Sequence, residues 1–171
     1  MLIDCGDFRI RSYHPEDGVD LVRYANNPNV AANLRERFPH PYTHEAAGEW
    51  LDAALHQDPE TNFVIATAEE LIGTIGLRLG DDVYRHSAEI GYWLGEPFWG
   101  RGIASRAVST LVDWGFDNFS LLRIFAHVFG ENPGSMRVLE KAGFECEAVM
   151  RRAIVKNGRV MDQKLYARLS P

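Results

Sequence analysis

The sequence predicts an α/β (α+β) protein with a mixed central sheet of about seven strands flanked by helices. Three observations carry this. Segments alternating apolar and polar residues at period two recur along the chain. Amphipathic stretches of helical period sit before and after them. In the middle, three strands follow one another through short turns, which excludes a purely βαβ doubly wound sheet.

Phe8–Tyr13 alternates at period two and opens the chain as a strand. Pro15-Glu16-Asp17 starts a helix carrying Val19, Leu21, Val22 and Ala25, and Asn26-Asn27-Pro28 stops it. A short second helix is expected over Asn29–Leu34, then a loop with Pro39 and Pro41. Thr43 is an N-cap with Glu45 in the first turn, ahead of Ala47, Trp50, Leu51, Ala54 and Leu55 at helical spacing. Strands follow at Asn62–Thr67, Leu71–Leu79 and Ser87–Leu94, with turns at Ala68-Glu69-Glu70 and Gly80-Asp81-Asp82. Ile103, Ala104, Ala107, Val108, Leu111 and Gly115 form a helix stripe, and Arg123–Val128 is a strand. Asn132 caps the next helix with Pro133 at its first position, and Gly143 ends it. Glu145–Arg152 and Val160–Leu169 are two final strands around an Asn157-Gly158 turn.

The 171 residues are expected to form one domain, 1–171, large enough for a real core. A net charge of −6 argues against a nucleic-acid partner, which needs a basic face, and is compatible with a cationic substrate. Cys5 and Cys146, far apart and outside any CxxC, suggest a reducing compartment. With no leader-like segment and no apolar run near ~18 residues, the expectation is a soluble cytoplasmic protein without a membrane partner. The six histidines show no HExxH or other metal spacing, so no metal is expected.

Chemistry concentrates in residues 88–104. A strand carrying Glu89 leads through Trp93 and Leu94 to Trp99-Gly100-Arg101-Gly102-Ile103-Ala104, where a helix begins. Two glycines flanking an arginine at a helix start leave backbone N–H groups at the positive end of a helix dipole, which suits a phosphate. No GxxxxGK[ST] string exists, so this is not a Walker A loop. The dinucleotide fingerprint fails twice: Ser105 stands where its third glycine belongs, and Leu121 and Leu122 stand where its acid belongs. A coenzyme A diphosphate is the third reading, against a plain turn and helix start.

Here the residues resemble a known family, the GNAT N-acetyltransferases, and within it the RimJ/RimL-like branch of ribosomal-protein-serine and -alanine N-acetyltransferases. The family signature is [QR]-x-x-G-x-[GA]; the chain matches it at Gly102 and Ala104 and departs from it at Trp99. The branch's Trp-Gly-x-Gly-x-Ala string, its Gly-Tyr-Trp-Leu strand end (Gly91–Leu94), its Asn-x-x-Ser (Asn132–Ser135) and its Glu-Lys-x-Gly-Phe (Glu140–Phe144) all occur in matching order.

The resemblance implies a GNAT-like acyl-CoA N-acyltransferase fold and transfer of an acetyl group from acetyl-CoA directly to an amine. It implies cofactor contacts at Trp93, Leu94, Trp99, Gly100, Arg101, Gly102, Ile103, Ala104 and Asn132, with Arg101 and Arg106 either assisting the phosphates or solvated. Glu89 takes the place of a general base, acting directly or through water; the bland alternative is a carboxylate on a solvent face. The tyrosine acid common in the family is absent, because Leu139 holds its position. Ser135 is offered in its stead as a donor to the leaving sulfur, or else supports the first helical turn. Phe38 and Tyr42 lie in the loop that lines the acceptor site in this family, together with His40. The favoured acceptor is a protein N-terminal α-amine, with a small amine (a polyamine or an aminoglycoside) as the rival substrate and a CoA-binding sensor as the rival outside enzymes. The resemblance is compatible with a homodimer. His127 reads as a core or cleft histidine, Trp50 and Trp114 as core, and the basic hairpin around Arg151, Arg152, Lys156 and Arg159 as a solvated face.

Overall fold

Many strand and helix limits fall within a residue of those expected, while the N-terminal strand, the second helix and the strand expected over Glu145–Arg152 shift by up to four residues. The computed structural model describes residues 1–171. In chain order the elements are β1 (Leu2–Asp4), β2 (Arg9–Arg11), α1 (Gly18–Ala25), α2 (Pro28–Ala31), α3 (His44–Leu55), β3 (Asn62–Ala66), β4 (Leu71–Leu79), β5 (Ser87–Leu94), α4 (Ile103–Asn118), β6 (Arg123–Phe129), α5 (Pro133–Lys141), β7 (Glu145–Lys156) and β8 (Arg159–Leu169). The strands join in the order β1-β2-β3-β4-β5-β6-β8-β7. The β5–β6 pair is parallel, and the β1–β2, β2–β3, β3–β4, β6–β8 and β7–β8 pairs are antiparallel.

The eighth strand, β1, is absent from the sequence reading. Its three residues are too few to show a period, and it exists because Leu2, Ile3 and Asp4 pair with Arg11, Ile10 and Arg9. The expected strand Phe8–Tyr13 is correspondingly trimmed to Arg9–Arg11. Pro28 both stops α1 and starts α2, with Asn27 as N-cap accepting the Asn29 N–H at 2.8 Å. Val19, Trp50 and Leu55 stand outward, at 68%, 39% and 41% exposure, so the apolar stripes of α1 and α3 are narrower than expected. Trp50 stays at the edge because its indole N–H donates to the Tyr13 hydroxyl, 3.0 Å away.

Two compact units emerge, Met1–Gly76 with Tyr92–Ala107, and Leu77–Gly91 with Val108–Pro171. In the first, α1 and α3 cover Val64, Ala66 and Leu71 through Leu21, Ala25, Ala47, Leu51 and Ala54. Burying each of the larger aliphatic side chains contributes about 1.5–3 kcal/mol. Beneath them Asp17 is buried and satisfied by a two-bond pairing with Arg11 at 2.7 and 2.8 Å. Gly73 on β4 is obligatory, since any side chain there would run into the main-chain carbonyl of Trp93.

In the second unit α4 presses on the sheet where it has no side chain. A Cβ at Gly115 would stand 2.7 Å from Leu77 and 3.2 Å from Ile124. Ile124, Ala126 and Val128 on β6 are buried, whereas Phe125, His127 and Phe129 on its other face are half-buried. α5 begins at an Asn132 cap, whose side-chain oxygen accepts the Ser135 N–H at 3.1 Å. Gly143 ends it at φ +82°, and the β7–β8 turn takes Asn157 and Gly158 at φ +51° and +75°.

Candidate active site

The glycine bend belongs to the first unit. Pro97 opens a tight turn in which the Phe98 and Trp99 amides donate to the carbonyls of Gly95 (3.0 Å) and Glu96 (3.1 Å). Gly100 and Gly102 then take φ +75° and +77°, a region that side chains with a Cβ resist. No atom lies within 4 Å of where either Cβ would stand. Shape therefore demands these glycines for their backbone, and the space beside them is open. The Gly102 carbonyl accepts the Arg106 N–H at 3.2 Å, closing the first helical turn. The amides of Ile103, Ala104 and Ser105 consequently have no carbonyl upstream within the helix, and they sit at its positive end. Backbone N–H groups so placed suit an anionic group.

Around this bend the other expected contacts divide. The Trp99 amide is used in the turn, and its indole N–H donates to the Leu94 carbonyl at 2.7 Å. Trp99 thus ties the bend to the end of β5 while 44% exposed. Arg101 is exposed, its guanidinium 5.5 Å from the Phe98 ring, and is available to a charged ligand. Arg106 is engaged elsewhere: it grips Asp7 at 2.6 and 2.9 Å and covers the Phe8 ring. The same guanidinium holds the Asp7 carboxyl below its ordinary range. Phe38, Tyr42 and Trp93 form one aromatic group, with ring centres 5.1 Å (Phe38–Tyr42) and 5.8 Å (Phe38–Trp93) apart. Phe38 and Trp93 are half-buried. Tyr42 is buried behind them, and burial pushes its phenol up to about 12, so it stays neutral and acts as packing for Phe38.

The polar group belongs to the second unit. The β5–β6 ladder runs over three pairs, Ser87↔Arg123, Ala88↔Ile124 and Glu89↔Phe125, and stops. Glu89 is the last residue of β5 paired with β6. One carboxylate oxygen meets His127 Nδ1 at 2.9 Å and the other is bound by Arg78 of β4. The Glu89 side chain is 11% exposed. His127 and Arg78 were not singled out as site residues by their spacing, because the contact needs the register of three strands. Farther along the same face Arg123 holds Glu147 through two bonds of 2.6 and 2.5 Å, which keeps the Glu147 carboxyl low. Asn132 and Ser135 come together as the cap of α5. The Asn132 oxygen is thereby used, leaving its amide N–H groups for a ligand.

A parallel ladder that ends after three pairs, with a glycine-bounded helix start following β5, is the arrangement that the resemblance to acyl-CoA N-acyltransferases implies. The chain belongs to the GNAT acetyltransferases: the family's acetyltransferase (GNAT) domain matches residues 7–145. It is an acetyl-CoA-dependent acyltransferase of the RimJ/RimL-like kind. An uncharacterized N-acetyltransferase, p20, of Bacillus licheniformis is 31% identical over 166 residues, 94% of this chain and 91% of that one. The ribosomal-protein-serine acetyltransferase of Escherichia coli K12 is 35% identical over 107 residues, 63% of this chain and 59% of that protein. The structure of a spermidine N-acetyltransferase from Vibrio cholerae, in complex with CoA and spermine, superposes with a TM-score of 0.79 at 26% identity, covering 95% of each chain. No helix is long and apolar enough to cross a membrane.

Proposed function

We propose that the enzyme acetylates a protein N-terminal α-amine. The observation that carries this is the charge balance on the half-buried face of the second unit. Two of its carboxylates are each held by an arginine, Glu89 by Arg78 and Glu147 by Arg123. At those positions a polyamine would meet anions already compensated, and the β6 surface beside them is aromatic, with Phe125 and Phe129 half-buried. A peptide main chain suits it better.

Proton chemistry points the same way. An α-amine has a pKa of ~7.7–8.0 and an alkyl amine of ~10.4, so freeing the neutral form at pH 7 costs about 1 kcal/mol for the first and about 4.6 kcal/mol for the second. A Glu89–His127 pair whose carboxylate is also shared with Arg78 suits the smaller task. In this reading the amides of Ile103, Ala104 and Ser105, with Gly100, Arg101 and Gly102, hold the diphosphate of acetyl-CoA. An amide at Trp93 or Leu94 polarises the thioester carbonyl. Asn132 binds the pantetheine arm, the Ser135 hydroxyl donates to the departing sulfur, and Phe38 borders the acceptor.

The test is acetyl-CoA turnover against N-terminal peptides, spermidine, spermine and aminoglycosides. Peptides are expected to give the highest kcat/KM, with lysine side chains unmodified. The polyamine reading draws on the net charge of −6 and on the spermidine acetyltransferase relative. Spermidine outrunning every peptide would establish it in place of ours.

A further inference from the structure

We propose that His127 is the group that takes the proton from the acceptor amine, with Glu89 as its positioning residue. The inference deepens the acetyl-transfer reading and rests on it. His127 Nδ1 lies 2.9 Å from Glu89, whose other oxygen is bound by Arg78. A carboxylate so placed accepts, and Nδ1 therefore donates. In the neutral ring that leaves Nε2 as a bare acceptor, the arrangement a histidine base needs. The Phe125 ring meets the imidazole edge-on at 5.5 Å and limits its rotation.

Position supports the same role. Glu89↔Phe125 is the last pair of the parallel ladder, and Gly91 and His127 are the equivalent next steps on that face of β5 and β6. Gly91 is exposed, with no atom within 4 Å of where its Cβ would stand. His127, with its side chain 26% exposed, thus stands where the ladder has ended and the neighbouring strand offers only a glycine. An acceptor has room there. The charged groups facing the imidazole are Glu89 of β5, Arg78 of β4 behind it, and Arg123 of β6 with its Glu147 partner from β7; from β8 the residue opposite is Leu165. Each arginine in that set is held by a carboxylate, which leaves Glu89 as the direct partner of the ring.

The step balances without a further reactant. The ammonium passes one proton to Nε2, giving a neutral amine and an imidazolium. The amine nitrogen bonds to the thioester carbonyl carbon, the C–S bond breaks, and the thiolate and amide take up and release the remaining protons. The imidazolium then releases its proton to solvent, so the products are the acetylated amine, the CoA thiol and one proton.

The test uses the full-length enzyme with whichever acceptor turns over fastest. His127→Ala and the bulkier His127→Gln are both expected to lose about 100-fold in kcat, the size of general base catalysis. Both should keep the wild-type affinity for CoA by calorimetry and a KM for acetyl-CoA within about threefold. Added imidazole should restore His127→Ala in proportion to its neutral form, a response that a merely structural residue would not show. A His127→Gln enzyme within threefold of wild-type kcat would overturn the proposal. So would a crippled His127→Ala enzyme indifferent to imidazole. If spermidine is the fastest acceptor, the α-amine reading falls while the histidine result still stands.

Discussion

The glycine bend and the Glu89 group are built on opposite plans. The bend is contiguous: the residues shaping it lie between Leu94 and Arg106, and its two left-handed positions are occupied by glycine. The Glu89 group draws Arg78, Glu89 and His127 from three strands, and nothing in the spacing of those residues shows that they touch. Binding the unreactive end of a substrate needs a backbone shape, and a short string can write one. Moving a proton needs side chains at hydrogen-bond distance, and only sheet register supplies that.

The contrast can be broken by experiments that separate binding from turnover. Gly102→Val imposes a β-branched side chain at φ +77°. The strain of roughly 2 kcal/mol should weaken CoA about 30-fold by calorimetry. If the affinity is unchanged, the bend is only a turn. Arg78→Met should do the reverse, lowering kcat about tenfold through a loosened Glu89 while CoA affinity stays as in wild type. Gly91→Val fills the space beside His127 and should raise the acceptor KM about fivefold, with the melting temperature unmoved.

Smaller effects sharpen the same division. Trp99→Phe removes the bond to the Leu94 carbonyl and should cost about 1 kcal/mol in chemical denaturation. The tyrosines supply a pH test. Burial raises Tyr42 and Tyr166 to about 12, so the unfolded chain ionises first, near pH ~10. The stability they contribute is fully present below that pH and is lost as pH climbs through about 12. Tyr42→Phe should flatten the alkaline fall in melting temperature without altering activity at neutral pH.

Much of the architecture was legible in advance. Asn132-Pro133 and Thr43 mark helix starts through local hydrogen bonds, and Asn157-Gly158 marks a hairpin turn through backbone sterics. β3, β4 and β5 appear at or within a residue of their expected limits. β1 was illegible because three residues have no period and its partner lies across a turn. Trp50 was misread as core because spacing reports a helix face and not how far inward the face turns. Whether Arg106 assists a phosphate or is solvated stays open in the sequence, because its partner Asp7 lies 99 residues away.

The sequence by itself determined the order of the elements after β1, several caps and turns, the family and the glycine bend, since each rests on dihedral preferences or on patterns within a few residues. Tertiary structure alone decided which charges are neutralised, that Glu89 is shared between Arg78 and His127, and that the space over Gly91 is open. The reason is physical: a hydrogen bond between strands depends on register, and register is settled by the packing of the whole sheet.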